Sequence, residues 1–121
     1  MEKDIGAKAL AFLGDAVFTL KVRVLLLSDN ERPPDELSRR AKKYVTASAQ
    51  ASFYHKIFPL LNEEEQGLLK RGRNSSGLSK TKNANTSDYR HATGLETLFG
   101  YLFLSGNETR LNEIFNMCIK E

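Results

Sequence analysis

From Ile5 to about Leu27, apolar residues recur at helical spacing at Leu10, Leu13, Val17, Leu20, Val24 and Leu27, with no proline among them. That pattern predicts a long first helix. A second stripe, Ala11, Asp15, Phe18 and Val22, runs along the same segment, so the helix is expected to be covered on more than one side. The polar stretch Ser28 to Arg32 ends it. Pro33 and Pro34 then preset the start of a second helix with Asp35 and Glu36 in its first turn, where the helix dipole favours acids, running to about Tyr44.

Thr46 is placed to cap a third helix carrying Phe53, Tyr54, Ile57 and Phe58, which should stop before Pro59. Asn62 with Glu65 three residues later forms a capping-box pattern, predicting a fourth helix to about Arg71. Asn74 to Thr86 collects Asn, Ser, Gly, Lys and Thr around the single large apolar residue Leu78, the composition of an exposed loop. Ser87 is the expected cap of a fifth, most apolar helix through Leu95, Leu98, Phe99, Leu102 and Phe103, ended by Gly106. Asn107 opens a last amphipathic helix with Leu111, Ile114, Phe115 and Ile119 on one side. No run alternates convincingly as a strand, no repeat recurs and no linker divides the chain. The expectation is an all-α helical bundle forming one domain over residues 1–121.

Composition narrows the class. With 40% hydrophobic and 27% charged residues the chain is neither disordered nor fibrous. The lone Cys118 excludes an internal disulfide framework and Cys-rich zinc sites, and fits a reducing cytoplasm, with packing as its expected role. Asp15, Lys21 and Arg23 interrupt the first apolar segment, so it reads neither as a signal peptide nor as a membrane span. The net charge of +3 is too small to imply an anionic partner by itself.

Its distribution says more. Between Lys70 and His91 lie Lys70, Arg71, Arg73, Lys80, Lys82 and Arg90 against one acid, Asp88. Arg, Lys, Asn and Ser are the residues that contact phosphates, and Gly72 and Gly77 permit close backbone approach, so nucleic acid is a natural partner. A solvated loop without a ligand would have the same composition.

Each of the two most apolar helices also carries one carboxylate, Asp15 in Leu13-Gly14-Asp15-Ala16-Val17 and Glu96 in Gly94-Leu95-Glu96-Thr97-Leu98. An unpaired buried carboxylate costs several kcal/mol, about the stability of a small domain, and needs compensation. A divalent cation held by hard oxygens from two packed helices supplies it while leaving positions open for water and phosphate, which is chemistry suited to phosphodiester hydrolysis. An ion pair with Lys21, Arg23 or Arg90 would also supply it. His91, inside the basic stretch and close before Glu96, is a conceivable substrate contact; His55, on an aromatic helix, reads as a packed or surface imidazole.

Leu10-Ala11-Phe12-Leu13-Gly14-Asp15-Ala16-Val17 resembles the signature helix of the ribonuclease III family, and Thr93-Gly94-Leu95-Glu96-Thr97-Leu98-Phe99-Gly100-Tyr101-Leu102 resembles its second acidic motif. The likeness spans nearly the whole chain. Without a double-stranded-RNA-binding domain, and with Arg71-Gly72-Arg73-Asn74 and Tyr89-Arg90, it is closest to the family's catalytic-domain-only Mini-ribonuclease III group. The resemblance implies a helical homodimer that cuts double-stranded RNA with Mg²⁺, for which Mn²⁺ can substitute. Asp15 and Glu96 would bind the metal and catalyse, and Lys70, Arg71, Arg73, Asn74, Lys80, Lys82 and Arg90 would contact RNA. Each site would cut one strand, leaving 5′ phosphates, 3′ hydroxyls and short 3′ overhangs.

It further implies maturation of large-subunit precursor ribosomal RNA, possible presentation of the substrate by a ribosomal protein, and a dimer surface on the second apolar stripe of the first helix. Two positions depart from the larger family: Ala11 stands where it has a Glu and Thr93 where it has an Asp, which leaves the number of metal ions open. The same departures would suit a rival, a non-catalytic dimer of this fold that binds structured RNA or ribosomal components.

Overall fold

A computed structural model describes residues 5–29, 32–75 and 86–120. Its helices are α1 (Ala7–Asp29), α2 (Pro34–Val45), α3 (Ala47–Ile57), α4 (Glu63–Ser75), α5 (Thr86–Leu104) and α6 (Glu108–Ile119), with a 3-10 turn, Phe58–Leu60, after α3. Among the described residues there is no strand, and no helix is long and apolar enough to cross a membrane. The all-α expectation holds.

Much of the predicted punctuation acts through identifiable hydrogen bonds, but Ser87, the expected cap of the fifth helix, lies within α5. Thr46 Oγ1 accepts from the Ala49 amide at 3.2 Å. Asn62 and Glu65 form a reciprocal capping box, with Glu65 N–H donating to Asn62 Oδ1 at 2.8 Å and Asn62 N–H to Glu65 Oε1 at 3.1 Å. Gly106, at φ +73°, ends α5 in a left-handed turn; Asn107 N–H donates to Leu102 O and Gly106 N–H to Phe103 O. Asn107 Oδ1 then caps α6 by accepting from Arg110 N–H.

Helix α5 is the axis of the molecule, packed against α1, α3 and α4, while α2 leans on α1 and α6 on α3 and α5. Phe18 of α1 makes edge contacts with Phe99 and Phe115 at centroid distances of 5.2 and 5.6 Å and lies 6.1 Å from Phe53, tying four helices into one core. Cys118 is buried in the same cluster.

Two expectations require correction. The inward stripe of α1 is Leu10, Val17, Phe18 and Val22, whereas Leu20, Val24 and Leu27, expected to share a face with Leu10 and Val17, are exposed. The core covers the second stripe at Ala11, Phe18 and Val22, which the resemblance had implied as a dimer surface, and leaves Leu20, Val24 and Leu27 of the first stripe open. The loop is also shorter than expected, since α4 continues through Asn74 and Ser75 and α5 begins at Thr86. Close packing of α4 on α5 and a hydrogen bond from Ser75 Oγ to Gly72 O carry the helix past its polar residues.

Candidate active site

Helices α1 and α5 cross at backbone contact. A Cβ on Gly14 would fall 1.7 Å from the Glu96 carbonyl oxygen, and one on Gly100 would fall 2.0 Å from the Leu10 carbonyl oxygen, so neither position has room for a side chain. On the other side of α5, Gly72 and Gly94 allow α4 an equally close approach, with Gly72 against Thr97 and Gly94 against Leu69 and Tyr54.

The crossing brings the two acidic motifs together. Lys8, Ala11, Phe12 and Asp15, spaced along one face of α1, and Tyr89, Thr93 and Glu96, spaced along one face of α5, line a single open pocket of about 340 Å³. The departures from the larger family, Ala11 and Thr93, therefore line the same pocket as the two acids. Thr93 Oγ1 donates to Tyr89 O at 2.9 Å, so its hydroxyl proton is engaged within its own helix.

The carboxylates are less enclosed than the sequence suggested. Asp15 is exposed and Glu96 half-buried, because the pocket lies where α1's uncovered side begins. Burial is still the largest influence on Glu96, and with the negative charge and side chain of Asp15 beside it, its pKa is pushed up to about 8; Gln50 works in the opposite direction. Among the described residues neither carboxylate has an ion pair. Of the three cations considered as partners, Lys21 is held by Glu108 and Asn112, at 3.3 and 2.6 Å, and Arg23 and Arg90 pair with neither acid.

The described basic residues lie on α4 and the start of α5. Lys70 is exposed with its ammonium 5.6 Å from the Phe58 ring centroid. Arg71 Nη2 donates to Ile5 O at 2.7 Å, tying α4 to the segment before α1. Arg73 Nε donates to Asn74 Oδ1, and Arg73 also opposes the upward shift that burial imposes on the Tyr54 hydroxyl. Arg90 is half-buried, and its Nε is enclosed without a partner. Lys80 and Lys82 lie outside the described residues. His91 does not line the pocket: its ring meets Tyr54 edge-on and lies beside His55, and its Nδ1 is 2.7 Å from Ser87 O.

Four residues were given no site role from sequence, Lys8, Phe12, Tyr89 and Gln50, although Tyr89 stands within the family motif Tyr89-Arg90. The first three share helix faces with Asp15 or Glu96, so spacing alone could have named them. For Gln50 the available signal was its place on the apolar face of α3, at i−4 and i−7 from Tyr54 and Ile57.

A model of the ribonuclease III domain matches residues 8–107, a range containing both acids and the helix crossing that joins them. This defines the class. Mini-ribonuclease 3 of Brevibacillus brevis is 49% identical over 105 residues, covering 87% of this chain and 78% of that protein. Mini-ribonuclease 3 of Enterococcus faecalis is 42% identical over 121 residues, covering 98% and 92%. A crystal structure of a Fusobacterium nucleatum protein matches with a TM-score of 0.83 at 32% identity, over 97% of this chain and 93% of that one. The chain belongs to the ribonuclease III family, within its Mini-ribonuclease 3 group.

Proposed function

We propose that this endoribonuclease of the ribonuclease III family cuts double-stranded RNA, using a divalent cation held by Asp15 and Glu96. The observation that carries the reading is the meeting of one acid from α1 and one from α5 in a single open pocket, with no cation paired to either among the described residues. Burial first, and the Asp15 carboxylate beside it second, raise the Glu96 pKa to about 8, and a bound cation would offset both the desolvation and the like charge.

The donors fit Mg²⁺, with Mn²⁺ as a substitute, because carboxylate oxygens are hard ligands and the pocket is open to water and phosphate. No group of three His, Cys, Asp or Glu gathers among the described residues, so water and substrate oxygens would complete the coordination. A bound ion supplies Lewis acidity, making water acidic enough to attack near neutral pH and offsetting charge on the phosphate.

The chain's own residues have separable tasks. Asp15 and Glu96 orient the ion from opposite helices; Lys70, Arg71, Arg73, Asn74 and Arg90, with Lys80 and Lys82, neutralise the RNA backbone. Readout of an A-form duplex would rest on shape and 2′-hydroxyls. The exposed apolar side of α1, with Phe12, Leu20, Val24 and Leu27, supports a homodimer in which each protomer cuts one strand. The biological substrate we infer is the precursor of large-subunit ribosomal RNA in the cytoplasm, with a ribosomal protein as a possible presenter.

End-labelled duplex RNA incubated with the protein in Mg²⁺, in Mn²⁺ and in chelator tests the reading. Cleavage with either ion, lost in chelator and lost on Asp15→Asn, is the expected result. Unchanged cutting by Asp15→Asn would remove that residue from the mechanism. Binding with no cutting in either ion would favour the non-catalytic RNA-binding dimer, a reading to which the two-acid site lends some support.

A further inference from the structure

We propose that Lys8 binds the RNA strand within the candidate active site, its ammonium holding a backbone phosphate next to the one that meets the acid pair. The inference rests on Asp15 and Glu96 being the metal-binding pair and on RNA being the substrate.

Lys8 begins the pocket face of α1, with Ala11 and Phe12 one turn on and Asp15 a turn beyond them, and it is the one basic side chain among the residues that line the pocket. A lysine sharing an open pocket with two carboxylates would ordinarily be taken up by one of them. Lys8 is not: among the described residues it forms no ion pair with Asp15, with Glu96 or with any other acid.

Two features of the chain account for this. Ala11, the pocket residue one turn from Lys8, offers no carboxylate, and two turns of helix put Lys8 about 10 Å along the axis from Asp15. Side chains on a helix also lean toward its N-terminus, which favours an ammonium held away from the acids. The pocket therefore has acids toward one end of its α1 face and a free cation at the other.

That division suits a nucleic acid strand. The acids repel phosphate until an ion is bound, whereas an ammonium attracts it directly. A compact point charge on a long flexible stem fits a backbone phosphate, and Lys8 is exposed, so the contact requires no burial of its charge. Phosphate contacts set register without reading sequence, so a phosphate held at Lys8 fixes which bond of the strand lies over Asp15 and Glu96. Lys70, Arg71, Arg73 and Arg90, the other described basic residues assigned to RNA, do not line this pocket and cannot replace that contact.

The test compares Lys8→Met and Lys8→Arg in the intact chain with Lys43→Met, which removes the same charge from an exposed position on α2 outside the pocket. Duplex binding is measured by gel shift in Ca²⁺ over a range of salt, cleavage in Mg²⁺ as kcat and KM, and Mn²⁺ binding by calorimetry without RNA. In Lys8→Met the plot of log affinity against log salt should flatten by about 0.9 for each Lys8 engaged on the duplex. KM should rise more than kcat falls, and Mn²⁺ affinity should be equal or higher, because a positive charge has left the site. Lys8→Arg should keep the parent's salt slope, and so should Lys43→Met. Equal flattening in Lys8→Met and Lys43→Met would reduce Lys8 to its share of the net charge and overturns the inference. Weaker Mn²⁺ binding by Lys8→Met also overturns it, since the side chain would then support the metal site and not the strand. If the parent itself neither binds Mn²⁺ nor cuts duplex RNA, the metal-site reading fails and this role falls with it. If the parent does both and Lys8→Met matches its salt slope and KM, only the role of Lys8 is lost.

Discussion

Gly14 of α1 lies against the backbone of Glu96 of α5, so close that its missing side chain is a condition of the crossing: a Cβ there would sit 1.7 Å from the Glu96 carbonyl oxygen and 2.8 Å from the Gly100 amide nitrogen. Asp15 is the next residue. The glycine that lets the helices touch therefore also sets how far the two acids stand apart, and within Gly14-Asp15 one residue serves the fold while the other faces the pocket.

Gly14→Ala should accordingly be among the most damaging single-carbon additions in the chain. The obstacle is backbone on a rigid helix, so α1 must move as a body, and overpacking of this kind costs about 3 kcal/mol or more. Gly67→Ala is the control: nothing lies within 4 Å of its Cβ position in α4, and alanine there should raise stability by up to about 1 kcal/mol. Urea unfolding of the two variants measures the contrast. Equal midpoints would show that the crossing is looser than described.

Much of this architecture was legible in the chain. Helix starts at Asn62 and Asn107 and the stop at Gly106 depend on side-chain and backbone bonds spanning a few residues, so local sequence carries them. The inward side of α1 was not legible, because Leu20, Val24 and Leu27 are as apolar as Leu10 and Val17, and periodicity cannot say which of two apolar sides the chain itself covers. The joining of Asp15 and Glu96, far apart in sequence, was suggested by motif order and is achieved by paired glycines that spacing rules do not weigh. Gln50 was missed because a single glutamine on an apolar face is invisible to a pattern that counts only hydrophobic positions.

The bond network of Glu65 gives a stability prediction independent of the candidate site. Arg110 donates to both carboxylate oxygens, at 2.7 and 2.8 Å, while the Glu65 side chain is 7% exposed and also completes the capping box of α4. Removing the cation with Arg110→Met strands a buried charge and should cost about 3 kcal/mol. Hydrogen bonds from Arg110, the largest influence, hold the Glu65 pKa below its ordinary value of 4.5. The stability this contributes is therefore full above the ordinary carboxylate range and is lost as pH falls through the lowered pKa. Chemical denaturation from pH 7 down to pH 3 should show a steeper acid loss in the parent than in Arg110→Met. Parallel curves would mean the pair contributes nothing.

Glu96 carries the opposite sign. Its pKa is raised from 4.5 to about 8, so the neutral acid is favoured in the fold, and the associated stability is present below pH 4.5 and lost as pH rises through about 8. Metal-free protein should weaken over that interval. Glu96→Gln should not, and near pH 8 it should be more stable than the metal-free parent by something on the order of 2 kcal/mol while losing duplex cleavage. Mg²⁺ should restore the parent and leave the variant unaffected. Thermal melts at pH 5 and pH 8, with and without the ion, separate these cases; a variant that melts below the parent at pH 8 would show that Glu96 is no liability to the fold.

The uncovered side of α1 supplies the last prediction. Leu20, Val24 and Leu27 are 62%, 57% and 61% exposed, and Phe12 on the same helix is 85% exposed at the mouth of the pocket. Fully burying one such side chain is worth about 1.5–3 kcal/mol, so a second copy covering this helix gains more than a scattered surface leucine could. Val24→Lys combined with Leu20→Glu should leave the single-chain core intact, because neither residue belongs to it, and should shift the protein from dimer to monomer in sedimentation equilibrium. The functional consequence follows from geometry. With one acidic pair per chain, offset cuts in both strands need two chains, so the monomer should nick duplex RNA on one strand where the parent releases double-stranded fragments. A parent that already sediments as a monomer, or a monomeric variant that still makes paired cuts, would mean that this face of α1 is not the dimer surface.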